Sequence, residues 1–426
     1  MKRPVMDTVR RALVLLSFFW MATGERLGNS PLVFLAVLVV FDPRLWKSAW
    51  SERRLRPTTT WLWPSMALFA LTASFGLFSD PKSAVDLIQV RSAFLVFPLV
   101  LVLLGPDGLP ERRVLLTATW AGLLVTALYG LGLSWWRAEH QVEPGQAFAT
   151  YFFYDHYSFP LGWHPAYMSL FAGLLIMASG MERFLTPSTP AWPKWATGGA
   201  FLSMLGLFFI LQGRMNWIAL AATLPVAFVL FGRSLMPHGI PRVRWVAFGG
   251  GLFLALALLL WKGPESIRSR WTQGLSLEYD LGADRIEAFS GLTIRLAEWE
   301  GVRHALARAP WQGYGADAQR ELERSYAEIG FVLGVQNRYN AHNMYYQILL
   351  QGGWAGLVLL LGFLITLGSR AWKHRDPLLF AAVLFFALSG LTESLLDRQK
   401  GVLFAAVLLL ALSASSAPIL PRAERT

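Results

Sequence analysis

The chain reads as an all-α polytopic membrane protein with about twelve transmembrane helices and a large helical loop on one side. Three features of the sequence lead there. Of 426 residues, 54% are hydrophobic and 15% charged, against about 25% charge in an ordinary soluble domain. Apolar runs recur along the chain, many near the roughly 20 residues that a spanning helix needs. Nineteen tryptophans supply rings of the kind that anchor at the headgroup level.

The expected spans are 12–24, 30–41, 60–78, 88–104, 113–135, 164–180, 196–212, 215–231, 243–261, 342–368, 377–391 and 401–416. The first is read as a retained helix, because no small-x-small cleavage site follows it. Charge orients the set. With the N-terminus in the cytoplasm, twenty-one basic residues fall in inside segments and six (Arg26, Lys82, Arg137, Arg214, Arg398, Lys400) in short outside loops. That asymmetry predicts both termini inside and explains the net charge of +11 as a topology signal, with no need of nucleic acid. Residues 1–261 then hold nine helices, 262–341 form an outward loop domain and 342–426 hold three more. Within the loop, 284–308 is expected to be one amphipathic helix, with Ile286, Phe289, Leu292, Leu296, Trp299, Val302 and Leu306 on its apolar face. Pro310 and Gly313-Tyr314-Gly315 would end it, and a second helix is expected over 317–331.

Several chemistries are excluded or disfavoured. The chain has no cysteine, hence no disulfide, thiolate nucleophile or Fe–S cluster. It lacks a Walker A loop, an H-E-x-x-H zinc motif and a G-x-S-x-G nucleophile elbow. No Asp-x-Asp pair is available to hold a metal against a nucleotide-sugar pyrophosphate. An enzyme of this composition is expected to use no cofactor and no metal, and to stabilise charge with its own cations.

Few residues could carry such chemistry. Arg214 lies in Gln212-Gly-Arg-Met-Asn-Trp217, a short turn between two apolar runs. It is either a snorkelling arginine or a guanidinium fixed for bidentate phosphate binding. Arg295 and Arg285, on the loop helix, belong either to a solvated face or to a site. His342, in Asn340-Ala-His-Asn-Met-Tyr-Tyr346, stands where the loop enters a spanning helix. It is either a capping histidine or a general base suited to neutral pH. Gly353 and Gly356 follow and would let another helix approach closely. His164 starts a further span ahead of Pro165, itself a helix-start signal. Arg91, inside the fourth run, needs a cavity or a snorkelling route. Glu393 and Arg398 are expected to pair with each other.

His342-Asn343, Tyr345, Gln351, Gly353 and Gly356 together resemble the signature of the O-antigen ligase and polymerase superfamily. Arg295-xxx-Trp299 with Pro310-Trp-Gln-Gly313-Tyr-Gly315 is similar to the upstream part of that module. Gly213-Arg214 resembles its arginine turn, usually Ser-Arg-Gly. Gln351 departs from the usual glutamate. The likeness covers roughly residues 210–360, and length and loop placement match the O-antigen ligase family best. It implies a GT-C-like helical fold. It also implies an inverting, metal-independent transfer of O-antigen from undecaprenyl pyrophosphate to a sugar hydroxyl of lipid A-core, at the periplasmic face of the bacterial inner membrane. The implied partners are those two substrates and membrane lipids, with no nucleotide. His342, Arg214 and Arg295 would be catalytic. Arg285, His164, Arg91 and Tyr345 would join the two arginines in substrate binding. An O-antigen polymerase, a protein O-oligosaccharyltransferase and a lipid or sugar transporter remain as alternatives. The end of the chain at Thr426, soon after its last run, weakens the second of these.

Overall fold

The computed structural model describes residues 3–23, 30–51, 57–105, 108–141, 148–185, 194–235 and 279–415, and among them every regular element is helical. The first half runs α1 (Arg3–Met21), α2 (Ser30–Val40), α3 (Pro43–Ser51), α4 (Trp63–Ser74), α5 (Pro81–Arg91), α6 (Ala93–Leu104), α7 (Arg112–His140), α8 (Tyr154–Ser158), α9 (Pro165–Leu185), α10 (Lys194–Leu211) and α11 (Arg214–Leu235). The second half adds α12 (Thr293–Leu306), α13 (Ala318–Glu328), α14 (Val332–Gln336), α15 (Met344–Lys373), α16 (Pro377–Ser389) and α17 (Gln399–Ala414).

Eleven of the twelve expected runs coincide with helical segments, and the run at 243–261 lies outside the described residues. Among the described residues, four helical stretches are long and apolar enough to cross a membrane: Pro81–Leu104, Arg112–His140, Arg214–Phe231 and Met344–Lys373. A fifth candidate is broken, since Tyr154–Leu161 meets Pro165–Met181 at 92°. The break is local chemistry: Gly162 takes φ +73° and Pro165 starts the next helix.

Helix α9 is apolar on every side and is buried from Ala166 to Ala178, as befits a central helix. Gly173 provides the room for α16 to pack on it, because a Cβ there would stand 2.5 Å from the Phe385 ring. Outward faces stay apolar: Phe34, Leu128, Val229, Val358 and Ile365 are exposed. Large apolar side chains left exposed on several helices belong against lipid.

The outer segment departs from expectation in its first element. The helix expected from 284 starts at Thr293, after a single 3-10 turn at Ile286–Ala288. The reason is a reciprocal cap: the Ser290 hydroxyl accepts from Thr293 N at 3.1 Å, and the Thr293 hydroxyl accepts from Ser290 N at 2.7 Å. The buried face of α12 is consequently Ile294, Ala297, Glu298, Gly301, Val302 and Ala305, while Ile286 and Leu292 are exposed. It packs with Leu322, Tyr326 and Phe331 into a second apolar core. The helix expected over 317–331 forms as α13 and stops at Glu328.

Candidate active site

Helix α15 begins with an unusual backbone. His342 has φ +38°, a left-handed conformation that a residue with a Cβ adopts only when its surroundings enforce it. Here its N–H donates to Asn340 Oδ1 at 2.9 Å, and Ala341 N donates to Gln347 Oε1 at 3.1 Å. Asn343 then caps the helix, accepting from the backbone N–H groups of Tyr345 and Tyr346, both at 3.0 Å. Its side-chain NH₂ donates to the Leu391 carbonyl at 2.8 Å, which ties this corner to the α16–α17 connection.

The imidazole so presented meets α12. His342 Nδ1 lies 2.7 Å from Glu298 Oε1. The ionised carboxylate only accepts, so Nδ1 donates, and in the neutral ring it is Nε2 that carries the lone pair. Glu298 is fully buried, and its other oxygen lies 3.4 Å from Arg295 Nη1. Arg295 Nη2 reaches Glu393 Oε1 at 3.0 Å. Burial alone would push Arg295 down, but the two carboxylates outweigh it and hold the guanidinium above its ordinary value. Burial likewise pushes Glu393 up, and Arg295 outweighs it, so this carboxyl sits below its ordinary value. The expected Glu393–Arg398 pair is therefore replaced by Glu393–Arg295. Glu393 follows the end of α16 and precedes Ser394, whose hydroxyl contacts Asn340 and Asn343, and that anchoring turns it toward α12.

A cavity of about 290 Å³ opens beside this relay. Phe159, Trp163 and Tyr167 form its apolar wall, and His164, Asn340, His342, Glu393, Arg398 and Lys400 its polar one. His164 stands at the break between α8 and α9, its Nδ1 accepting from Ala166 N at 3.3 Å.

Arg214 begins α11, after Gln212 with φ +48°. Asn216 donates to the Ala166 carbonyl at 2.7 Å, so the turn is tied to the start of α9. The Arg214 guanidinium lies against Gly291: a Cβ built there would stand 2.0 Å from its Nη2. Arg214 thus reaches the turn that leads into the Arg295 helix.

The remaining candidates lie apart from the cavity. Arg285 is exposed, on the extended segment before α12. The Tyr345 hydroxyl donates to the Ala387 carbonyl at 2.8 Å and joins α15 to α16. Arg91 is buried where α5 meets α6 and pairs with Asp397 at 3.1 Å, while donating to Gln351 and to the Leu396 carbonyl. Its role is to hold the connection before α17 in place. Arg91→Ala would leave the partly buried Asp397 without its cation, and thermal unfolding should show a loss of about 3 kcal/mol.

Glu298 escaped the sequence reading although a signal was present. It stands at i+4 from Ile294 and i−4 from Val302, so an ionisable group falls on an apolar stripe. A search of curated proteins finds no match. Residues 199–361 match a family model described as O-antigen ligase, a stretch that includes Arg214, Arg295, Glu298 and His342.

Proposed function

Since residues 199–361 of this multi-pass chain match a model of the O-antigen ligase family, we propose that it transfers O-antigen from undecaprenyl pyrophosphate to a hydroxyl of lipid A-core. The observation that carries the reading is the buried relay Arg295–Glu298–His342, which ends in a basic Nε2 at a cavity. His342 takes the proton of the acceptor hydroxyl as its oxygen attacks the anomeric carbon. The bond from that carbon to the pyrophosphate oxygen breaks on the opposite face, the configuration inverts and undecaprenyl pyrophosphate leaves with the electron pair. Glu298 fixes the tautomer and balances the imidazolium as it forms. Arg214 binds the pyrophosphate. Arg295, already engaged by two carboxylates, serves mainly to hold them in position. The cavity faces the periplasm of the inner membrane, with both termini cytoplasmic, and the reaction uses no metal, in keeping with the missing Asp-x-Asp pair.

The test combines purified protein, undecaprenyl-pyrophosphate-linked O-antigen and rough lipopolysaccharide, with EDTA and without nucleotide. Capped lipopolysaccharide is the expected product, lost in His342→Ala. Longer polymer on the lipid carrier, without capping, would move the assignment to polymerase. Absence of both products from folded protein would overturn the transfer reading.

A further inference from the structure

The connection between α16 and α17 is built with unusual care for a segment so short. Asp397, partly buried, pairs with Arg91 and also accepts from Gln351 Nε2 at 3.1 Å. Three residues on, the buried Lys400 donates to the carbonyls of Met21 at 2.9 Å and Thr23 at 2.6 Å, with its ammonium 4.3 Å from the centre of the Trp163 ring. Gly401 allows the turn itself, because a Cβ there would stand 1.9 Å from the Leu395 carbonyl oxygen. Paired charges thus pin the backbone on both sides of one residue, Arg398.

The Arg398 side chain is treated differently. It is exposed, it lines the cavity beside His164 and His342, and among the described residues it makes no ion pair or side-chain hydrogen bond. Arg295, Arg91 and Lys400 all spend their donors on protein acceptors. Glu393, the carboxylate lining the cavity, makes its ion pair with Arg295 rather than with Arg398. Arg398 therefore keeps its own donors for a ligand. Its guanidinium offers five donors in a planar fork that fits a phosphate bidentately.

We propose that Arg398, with His164 beside it, forms a phosphate-binding subsite on the wall of the cavity that also presents His342. The ligand is a phosphate group of a substrate: the pyrophosphate of the lipid-linked donor, or a phosphate on the acceptor saccharide. The assignment of those two substrates rests on the transfer reading above, and the subsite itself rests on the geometry of Arg398. Seated there, the anion would lie in the same cavity as the general base, whereas Arg214 approaches from the α12 side.

The test compares wild type, Arg398→Gln and Arg398→Lys, all full length in nanodiscs. Arg398 is exposed, so unchanged melting is expected for both variants. Titration of inorganic pyrophosphate should show affinity about ten- to a hundredfold weaker in Arg398→Gln, as for loss of a charged hydrogen bond, and partly regained in Arg398→Lys. In turnover, the matching KM should rise by a similar factor while kcat stays within about threefold. A rise in donor KM alone identifies the donor pyrophosphate. A rise in acceptor KM, abolished with dephosphorylated core, identifies the acceptor phosphate. Pyrophosphate affinity and both KM values within about twofold of wild type would overturn the subsite. Were wild type inactive in transfer, the transfer reading would fall, and the pyrophosphate titration would still decide on Arg398.

Discussion

Glu298→Gln is expected to cut kcat by about 10²–10⁴-fold, the range that a positioned general base contributes, with KM nearly unchanged. The carboxylate has two tasks in this geometry. It accepts from Nδ1, which in the proposed transfer leaves Nε2 as the base, and its negative charge would balance the imidazolium formed as the acceptor hydroxyl gives up its proton. A glutamine keeps the shape and one acceptor oxygen but loses the charge. Glu298→Ala loses both and should fall as low as His342→Ala. Since the two residues act as one unit, the double variant should be no worse than either single one. Folding should survive, because Arg295 keeps its contact with Glu393 at 3.0 Å. Rate constants from single-turnover transfer, beside melting curves, would decide. Turnover of Glu298→Gln within tenfold of wild type would reduce Glu298 to a packing role, and additive losses in the double variant would separate it from His342.

The parts of this arrangement that were legible in the sequence are those controlled by local rules. Apolar runs and basic loops located the helices because lipid imposes one requirement on every span. His342 stood out because a histidine at the entry to a spanning helix is unusual, and Asn343 caps the helix there. Proline before the α9 run placed its start beside His164. What stayed hidden depends on pairing across distance. Arg295 meets Glu393 across 98 residues and Arg91 meets Asp397 across 306, and no periodicity announces such partners. The preference for a neighbour led to Glu393–Arg398, and folding chose Arg295. Glu298 was hidden for a second reason: large residues, Leu296 and Trp299, drew the apolar face to the wrong side of α12. The buried face consists mostly of small residues that let α12 approach α13, as Gly301 does against the Tyr326 ring. Volume, which a hydrophobicity pattern ignores, set the rotation of the helix and with it the carboxylate.

Gly353→Ala is expected to cost more than about 4 kcal/mol, enough to prevent stable folding, by a mechanism other than helix packing. Gly353 and Gly356 were read as places where another helix approaches. Gly356 fits that reading, with Leu71 of α4 at 3.5 Å from its ideal Cβ. Gly353 does not. It takes φ +58° and ψ −155°, a conformation confined almost wholly to glycine, and interrupts α15 within the membrane-spanning stretch. The gap is filled by the outer loop: Tyr314 N donates to the Leu350 carbonyl at 2.7 Å, and a Cβ at Gly353 would stand 2.0 Å from the Trp311 carbonyl oxygen. Gly313, at φ +78°, faces it, so two backbones meet where neither tolerates a side chain. An alanine would have to expel the loop and leave the Leu350 carbonyl without its donor. Gly362→Ala on the same helix is the control: no atom lies within 4 Å of its added Cβ, so its melting temperature should hold or rise. Thermal unfolding of both variants in one detergent would test the point. Equal stability would mean that the Pro310–Gly313 loop does not hold the break. The expected loss would make this glycine, a few turns along α15 from His342, the joint that fixes the outer segment on α15, and thereby Glu298 against His342.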